Sequence, residues 1–272
     1  DVIFTSLPNG ESQKIANKLL KKNIMIDLSA DFRLKNAKIY NKYYGIKHIS
    51  LNNLKKSVYG LSEINKKNLS KAKVIACPGC YPTSILLPLF PLIKKNLIDF
   101  KNIIIDSKSG FSGAGRGVHK KFKNKNLYGS TSAYGIGSHR HNAEIQQELS
   151  YIKKNIEFTF TPHILPMYRG ILSTIYLNYK SKANLNKIYN ELKRFYMNHK
   201  FIKILKNKAL TTNDVINTNN CQISVCKSKD KKKLIILSSI DNLIKGGAGQ
   251  AVQNLNLIFN FKLNEGLKWD TF

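Results

Sequence analysis

Apolar positions recur along this chain in two rhythms. Val2-Ile3-Phe4-Thr5-Ser6-Leu7 is a short apolar run that predicts a strand, and Pro8-Asn9-Gly10 predicts a turn. Over residues 11–22 the apolar side chains Ile15, Ala16, Leu19 and Leu20 fall at helical spacing, and Ile24-Met25-Ile26-Asp27-Leu28 reads as the next strand. This strand–helix–strand order with short turns implies a parallel sheet. Ser29-Ala30-Asp31-Phe32-Arg33 leaves the second strand at its carboxyl end, where open α/β sheets place their ligands. Asp31 and Arg33 read either as an ordinary surface pair or, from that position, with Arg33 as an anion clamp. Residues 34–57 are rich in Lys, Asn and Tyr and show no period, so they read as irregular. Residues 59–63 begin a short helix-like piece, and Val74-Ile75-Ala76 returns to the sheet.

A tight Pro78-Gly79 turn then delivers Cys80 to the start of an apolar helix expected over 82–95, which Pro88 and Pro91 should kink or shorten. Beyond it the rhythm changes. Ile103-Ile104-Ile105-Asp106 predicts a strand, and a glycine-rich loop follows over 109–117. Tyr134-Gly135-Ile136-Gly137-Ser138-His139-Arg140-His141 leads into a helix through Glu144 to Leu149. Strands are predicted over 157–161, 171–179, 201–205, 221–226 and 234–239, with an amphipathic helix over 185–199. Hairpin-type links with few helices between them suggest a mixed or antiparallel sheet with helices to one side. Gly246-Gly247-Ala248-Gly249 opens a last helix with Ala251, Val252, Leu255, Ile258 and Phe259 on one face.

At 272 residues the chain can bury a large core and needs no disulfide staples. Its net charge of +29 raises nucleic-acid binding, but only five of 45 basic residues are Arg (33, 116, 140, 169 and 194). The rest are lysines scattered among Asn and Ile, which reads as compositional drift, so no nucleic-acid partner is expected. No signal peptide and no apolar run of about 18 residues is present, so neither membrane nor export is implied and a reducing cytoplasm is the default. Cys77, Cys80, Cys221 and Cys226 do not make a zinc framework, and no metal site is expected.

Cys80 carries the first chemical signal. A helix mouth favours an anion and so the reactive thiolate. His139-Arg140-His141 carries the second: histidines two apart do not share a helix face, so this is not a helical metal pair, but one imidazole could serve a thiol nucleophile as acid or base. The glycines of 110–117, with Arg116, would let backbone N–H groups approach a phosphate, and 246–249 is a comparable helix mouth. His163 and Arg169 stay open between structural and chemical roles.

Taken in order, Asp27-Leu28-Ser29-Ala30-Asp31-Phe32-Arg33-Leu34, Gly79-Cys80-Tyr81-Pro82-Thr83, Ser112-Gly113-Ala114-Gly115-Arg116, His139-Arg140-His141, Phe160-Thr161-Pro162-His163 and Asp241-Asn242-Leu243-Ile244-Lys245-Gly246 resemble the N-acetyl-gamma-glutamyl-phosphate reductase family over essentially the whole chain. The resemblance implies an α/β protein. A partial Rossmann-type nucleotide-binding domain over 1–82 is rejoined by a C-terminal helix within 246–272, and an α+β catalytic and oligomerisation domain with a mixed sheet spans 83–245. It implies NADPH-dependent reduction of an acyl phosphate in arginine biosynthesis by a homo-oligomer, with Cys80 as nucleophile and His139 as acid/base. Arg33, Ser112 and His141 would meet the substrate, and Gly113, Ala114, Gly115 and Asn242 the cofactor. Alternatives are an aspartyl- or aminoadipyl-phosphate reductase and a Cys/His hydrolase.

The family pattern also leads to two expectations about what differs here. It carries a glycine-rich strand–turn–helix of at least ~30 residues ahead of the first strand seen here, so the chain as given is expected to begin inside its first domain. It carries Asn where this chain has Cys77, which raises a Cys77–Cys80 disulfide under oxidation.

Overall fold

The structure is a computed structural model and describes residues 1–114, 129–180 and 183–268. It divides into two compact units: Asp1–Gly79 with Gly246–Lys268, and the segment that begins at Cys80 and runs to Lys245.

The first unit is built on four parallel strands, β1 (Val2–Thr5), β2 (Ile24–Asp27), β3 (Val58–Tyr59) and β4 (Val74–Ala76), in the order β1-β2-β4-β3. Both faces are covered, as a parallel sheet requires. Alternation sends Met25, Val74 and Ala76 to one side, with Ala16 of α1 (Glu11–Leu19), Phe32 and Leu54. Ile26, Ile75 and Cys77 go to the other, with Leu69 of α4 (Ser62–Leu69) and Ala251 and Leu257 of α8 (Gly249–Ile258).

The stretch read as irregular holds two short helices, α2 (Ala37–Tyr44) and α3 (Leu51–Lys56). They escape a periodicity search because each buries a single side chain, Tyr40 and Leu54. Local chemistry defines α2 instead. The Asn36 side chain accepts from the N–H groups of Lys38 and Ile39, and Gly45 ends the helix at φ 67°. The last helix also departs from its expected face. Ala251 is buried, but Phe259 is 42% exposed, and Gln250, Gln253 and Asn254 are buried instead. These amides pair with α4 and the residue Gly60 ahead of it: Gln250 donates to Ser62, Gln253 to Glu63, and Asn254 to the Gly60 carbonyl. Gly60 must lack a side chain, since a Cβ there would stand 2.6 Å from the Asn254 amide nitrogen.

Asp31 is fully buried, which corrects the surface-pair reading. Its carboxylate accepts from the backbone N–H groups of Gly10 and Gln13, at the mouth of α1, and from the Tyr40 hydroxyl. Beside it Asp27 takes hydrogen bonds from Thr5, Ser12 and Ser29, while burial holds its pKa above the ordinary carboxylate value. The loops at the carboxyl ends of β1 and β2 are therefore cross-braced by two carboxylates.

The second unit holds a seven-stranded mixed sheet. Its strands are β5 (Ile103–Gly110), β6 (Ser132–Ala133), β7 (Phe158–Leu165), β8 (Ile171–Asn178), β9 (Ile202–Lys206), β10 (Cys221–Lys227) and β11 (Lys233–Ile240), in the order β6-β7-β5-β8-β11-β10-β9. Helices α5 (Cys80–Lys94), α6 (His141–Ser150) and α7 (Leu185–Tyr196) belong to the same unit. Alternate residues of the central strands, such as Ile103, Ile105, Ile171, Ile175, Leu234 and Ile236, are fully buried.

Helix α5 continues through Pro88 and Pro91 rather than stopping at them. Pro91 has no N–H for the Leu87 carbonyl four residues back, and the Tyr196 hydroxyl of α7 donates to that carbonyl at 2.6 Å instead. Near its start, α5 is pinned to the sheet by a buried chain of hydroxyls: Ser84 to Ser173 of β8, and Ser173 to Ser107 of β5, each at 2.7 Å. Removing Asp31 should be costly, because two helix-mouth N–H groups and a phenol lose one acceptor. Asp31→Ala is expected to cost about 2–4 kcal/mol by urea unfolding, against about 1 kcal/mol for Tyr40→Phe; an Asp31→Ala protein within 0.5 kcal/mol of the parent would contradict this assignment.

Candidate active site

Strand β4 ends in a segment whose backbone is fully engaged. The Cys77 N–H continues the ladder to the Asp27 carbonyl at 2.8 Å. Arg33 reaches from the end of β2: Nε donates to the Cys77 carbonyl at 2.7 Å and Nη2 to the Leu28 carbonyl at 2.8 Å. Arg33 thus braces the carboxyl ends of two neighbouring strands. Cys77 itself is 1% exposed among Ile26, Ile75 and Ala251, and burial pushes its thiol up to about 12. It behaves as a core residue, and the protonated, enclosed thiol opposes a disulfide with Cys80. All four cysteines are thiols.

Pro78 and Gly79 turn the chain, and Cys80 is the first residue of α5. The positive end of the helix dipole and the unpaired N–H groups of a first turn favour an anion at that position. Pro82 sits two residues further, where its missing N–H costs the helix nothing.

His139 arrives from the middle of the unit's sequence, in the loop before α6. Gly135 has φ +57° and a Cβ there would lie 3.1 Å from the His139 Cβ, so the loop folds tightly under the histidine. The Gly135 carbonyl accepts from the His139 N–H at 2.8 Å. The His139 imidazole Nδ1 accepts from the His141 N–H at 3.1 Å, which assigns the proton of the neutral ring to Nε2. Ring centroids place His139 4.8 Å from His141, 5.3 Å from Tyr134, 5.6 Å from Phe160 and 5.7 Å from Tyr81, the residue next to Cys80. Cys80 also acts electrostatically on both phenols: its charge adds to the burial that pushes Tyr134 up to about 12 and Tyr81 still further. Cys80, His139 and His141 therefore belong to one aromatic-lined cluster.

Ser112 and Asn242 also come together. The Asn242 side chain accepts from the Gly170 N–H at 2.6 Å and donates to the Ser112 hydroxyl at 3.0 Å. This pins the short 3₁₀ turn Phe111–Ala114 that follows β5. The glycines here serve the protein's own packing. A Cβ on Gly110 would stand 2.6 Å from the backbone of Tyr168 and Arg169, and one on Gly113 would stand 2.9 Å from the Ser109 hydroxyl. Gly113 leaves an exposed backbone beside a hydroxyl and a carboxamide, which fits a flat polar ring better than a phosphate. Gly115, with Arg116 and Gly117, lies outside the described residues. His163 and Arg169 are held by the fold: His163 Nδ1 lies 3.1 Å from Asp106, and Arg169 pairs with Asp241 at 2.9 Å and donates to Asn217. Among the described residues no group of three or more His, Cys, Asp or Glu is placed to share a metal ion.

The sequence signalled Cys80 and His139 but gave no reason to single out Tyr134, whose place beside the histidine depends on the fold of the 135–139 loop. The contrast between the two neighbouring cysteines is measurable. At pH 8 in the native protein, iodoacetamide should modify Cys80 while Cys77, with a thiolate fraction on the order of 10⁻⁴ and no access, stays unmodified. Equal labelling of both by peptide mass analysis would contradict the burial of Cys77.

Comparison with known proteins agrees with this arrangement. Residues 1–72 match the family model for the semialdehyde dehydrogenase NAD binding domain, and residues 80–242 match that for the semialdehyde dehydrogenase dimerisation domain. The chain is 47% identical to N-acetyl-gamma-glutamyl-phosphate reductase of Clostridium botulinum (strain Eklund 17B / Type B), over 98% of this chain and 78% of the relative. It is 45% identical to the protein of that name from Campylobacter jejuni subsp. doylei, over 99% of this chain and 80% of the relative. Its fold is similar to the crystal structure of aspartate semialdehyde dehydrogenase II from Vibrio cholerae complexed with ASA, with a TM-score of 0.70 at 13% identity over 95% of this chain and 79% of that one. By similarity along nearly its whole length, the chain belongs to the N-acetyl-gamma-glutamyl-phosphate reductase family, oxidoreductases of the semialdehyde dehydrogenase type.

Proposed function

We propose that the protein reduces N-acetyl-L-glutamyl 5-phosphate to N-acetyl-L-glutamate 5-semialdehyde, with release of phosphate, as a step of arginine biosynthesis. The observation that carries this reading is a helix-mouth thiol at Cys80 in one aromatic-lined cluster with an imidazole, His139, whose Nδ1 accepts from the His141 N–H and whose Nε2 carries the proton. The family names support the substrate.

The chemistry follows from those two groups. The Cys80 thiol gives its proton to solvent and its sulfur attacks the acyl carbon as the thiolate, with the His139 Nε2–H as hydrogen-bond donor at the site. A carbon–sulfur bond forms, the carbon–oxygen bond to phosphate breaks, and the departing phosphate takes up a solvent proton. Backbone N–H groups at the start of α5 are the donors assigned to the developing oxyanion. A nicotinamide cofactor, NADPH on this reading, supplies the hydride that the thioester carbon needs. The carbonyl then re-forms as the carbon–sulfur bond opens, Cys80 leaves as the thiolate with the His139 Nε2–H as its hydrogen-bond donor, and the semialdehyde departs. The covalent route divides one difficult displacement into two easier ones.

Around this centre Ser112 and His141 are assigned to the substrate. Gly113, Ala114 and Asn242 are assigned to the nicotinamide, with Asn242 fixing the turn that carries the other two. Arg33 serves by bracing the turn that leads to Cys80. A thiol enzyme of this kind fits a reducing compartment, the cytoplasm, and no helix among the described residues is long and apolar enough to cross a membrane.

The partner is a second copy of the chain. One face of the seven-stranded sheet leaves Ile104 49% and Tyr176 40% exposed, beside Lys108 and His163 clustered on Asp106. The dimerisation-domain match over 80–242 supports self-association. Light scattering should give a mass at least twice 30.9 kDa, and Tyr176→Glu should lower it; a monomer at micromolar concentration would contradict this partner.

Assayed backward with semialdehyde, phosphate and NADP, Cys80→Ser should abolish turnover, and His139→Asn should lower kcat by about 10²–10⁴-fold. Near-normal turnover in Cys80→Ser would end the thioester scheme. Aspartate and aminoadipate semialdehydes in the same assay test the substrate, and a higher kcat/KM with either would overturn the assignment to N-acetylglutamate.

A further inference from the structure

We infer that Tyr81 is the positioning residue of the catalytic site, holding the His139 imidazole in register with Cys80. The inference rests on the reading of Cys80 and His139 given above.

His139 sits on a loop with Gly135 and Gly137 at positive φ, and such a backbone does not by itself fix an imidazole to the tolerance that catalysis needs. The precision must come from what surrounds the ring. Tyr81 is almost fully buried and stands edge-on to three rings at once: His139 at 5.7 Å and 85°, His141 at 5.9 Å and 72°, and Phe160 at 5.3 Å and 69°. His141 and Phe160 also stand edge-on to His139, so two of the other rings around the imidazole meet Tyr81 as well. Edge-to-face packing sets the positive ring edge against the negative ring face and so favours one orientation of each ring.

The hydroxyl end of Tyr81 ties in the fourth wall. It accepts from the Tyr134 hydroxyl at 3.2 Å and donates to the His163 carbonyl of β7 at 3.2 Å. Tyr134 is itself edge-on to His139 at 5.3 Å. The chain Tyr134–Tyr81–His163 therefore links the imidazole's surroundings to the sheet. Both phenols are held neutral by burial, so they act as fixed donors and not as proton carriers.

What makes Tyr81 distinct is its place in the chain. It is the second residue of α5 and Cys80 is the first. The nucleophile and the central wall of its imidazole partner thus share one helical turn, and Ser84 anchors that turn by donating to the Tyr81 carbonyl and bonding Ser173. A shift of the Tyr81 ring moves His139 relative to Cys80 directly. Misplacement by about 1 Å can cost on the order of 10²-fold in rate.

Two substitutions separate the ring from the hydroxyl, and the pH dependence of Cys80 alkylation reads the pairing without turnover. In the parent protein that profile should carry an inflection that His139→Asn removes. Tyr81→Phe keeps the ring, and should lower kcat by no more than about 5-fold and retain the inflection. Tyr81→Leu should lower kcat about 10–100-fold with KM within about threefold, and should move the inflection by more than half a pH unit or abolish it. If Tyr81→Leu does not fold, Tyr81→Met fills the volume without an aromatic edge and carries the same expectation. A folded Leu or Met variant with parental kcat and inflection overturns the inference, as does Tyr81→Phe matching Tyr81→Leu in its loss. If His139→Asn also leaves kcat and the profile intact, the reading of His139 itself has failed; if His139→Asn collapses the rate while the Tyr81 variants do not, only the positioning role has.

Discussion

A strand that ends must still give its last carbonyl groups a partner, and in this protein that requirement shapes the chain at its most important turn. The Leu28 and Cys77 carbonyls close two adjacent parallel strands, and the single guanidinium of Arg33 donates to both. The Asp27 carbonyl takes the Cys77 N–H alongside. Little is left for the backbone to do between Cys77 and the first turn of α5 except bend through Pro78 and Gly79. Cys80 emerges at a helix start because the preceding strand is pinned and the following helix is pinned by Ser84 to the second sheet. Removing a buried acceptor or donor from such a turn costs more than the bond's net worth, because its partner stays desolvated.

The chemistry of the site grows from the same economy. Neither Cys80 nor His139 needs a distant charge to be useful. A first-turn position supplies the thiol with N–H groups, and the His141 N–H fixes which imidazole nitrogen carries the proton. Aromatic edges then do what a loop backbone does not, by enclosing the imidazole from Tyr81, Tyr134, His141 and Phe160. The cysteine three residues upstream shows how far local environment decides reactivity: Cys77 is sealed in the core with its thiol pushed up to about 12, and is a hydrophobe in practice.

Much of this was legible in the residues. The strand–turn–Cys–helix pattern predicted the position of Cys80, and the change from strand–helix alternation to hairpin links predicted a parallel and a mixed sheet. Ordered motifs carried the family, which no single motif could. What stayed hidden depended on contacts distant in sequence. Pro88 and Pro91 read as residues that kink or shorten the helix because the hydroxyl that satisfies Leu87 comes from Tyr196, 109 residues away. Gly110 and Gly113 read as a phosphate cradle because the sequence does not say that Tyr168, Arg169 and Ser109 crowd them. The last helix read as apolar-faced because buried glutamine and asparagine are intelligible only once Gly60, Ser62 and Glu63 are opposite them. Asp31 read as a surface charge because helix mouths recruit carboxylates from remote strands as readily as from the chain beside them.

The central claim is that Cys80 carries the acyl group, and it can be tested before any hydride is supplied. N-acetylglutamyl phosphate mixed with stoichiometric enzyme in the absence of nicotinamide, quenched in acid and analysed as peptides, should release phosphate and leave an N-acetylglutamyl thioester on the peptide that contains Cys80. Phosphate release without any adduct on Cys80, or an adduct on another residue, would contradict the account.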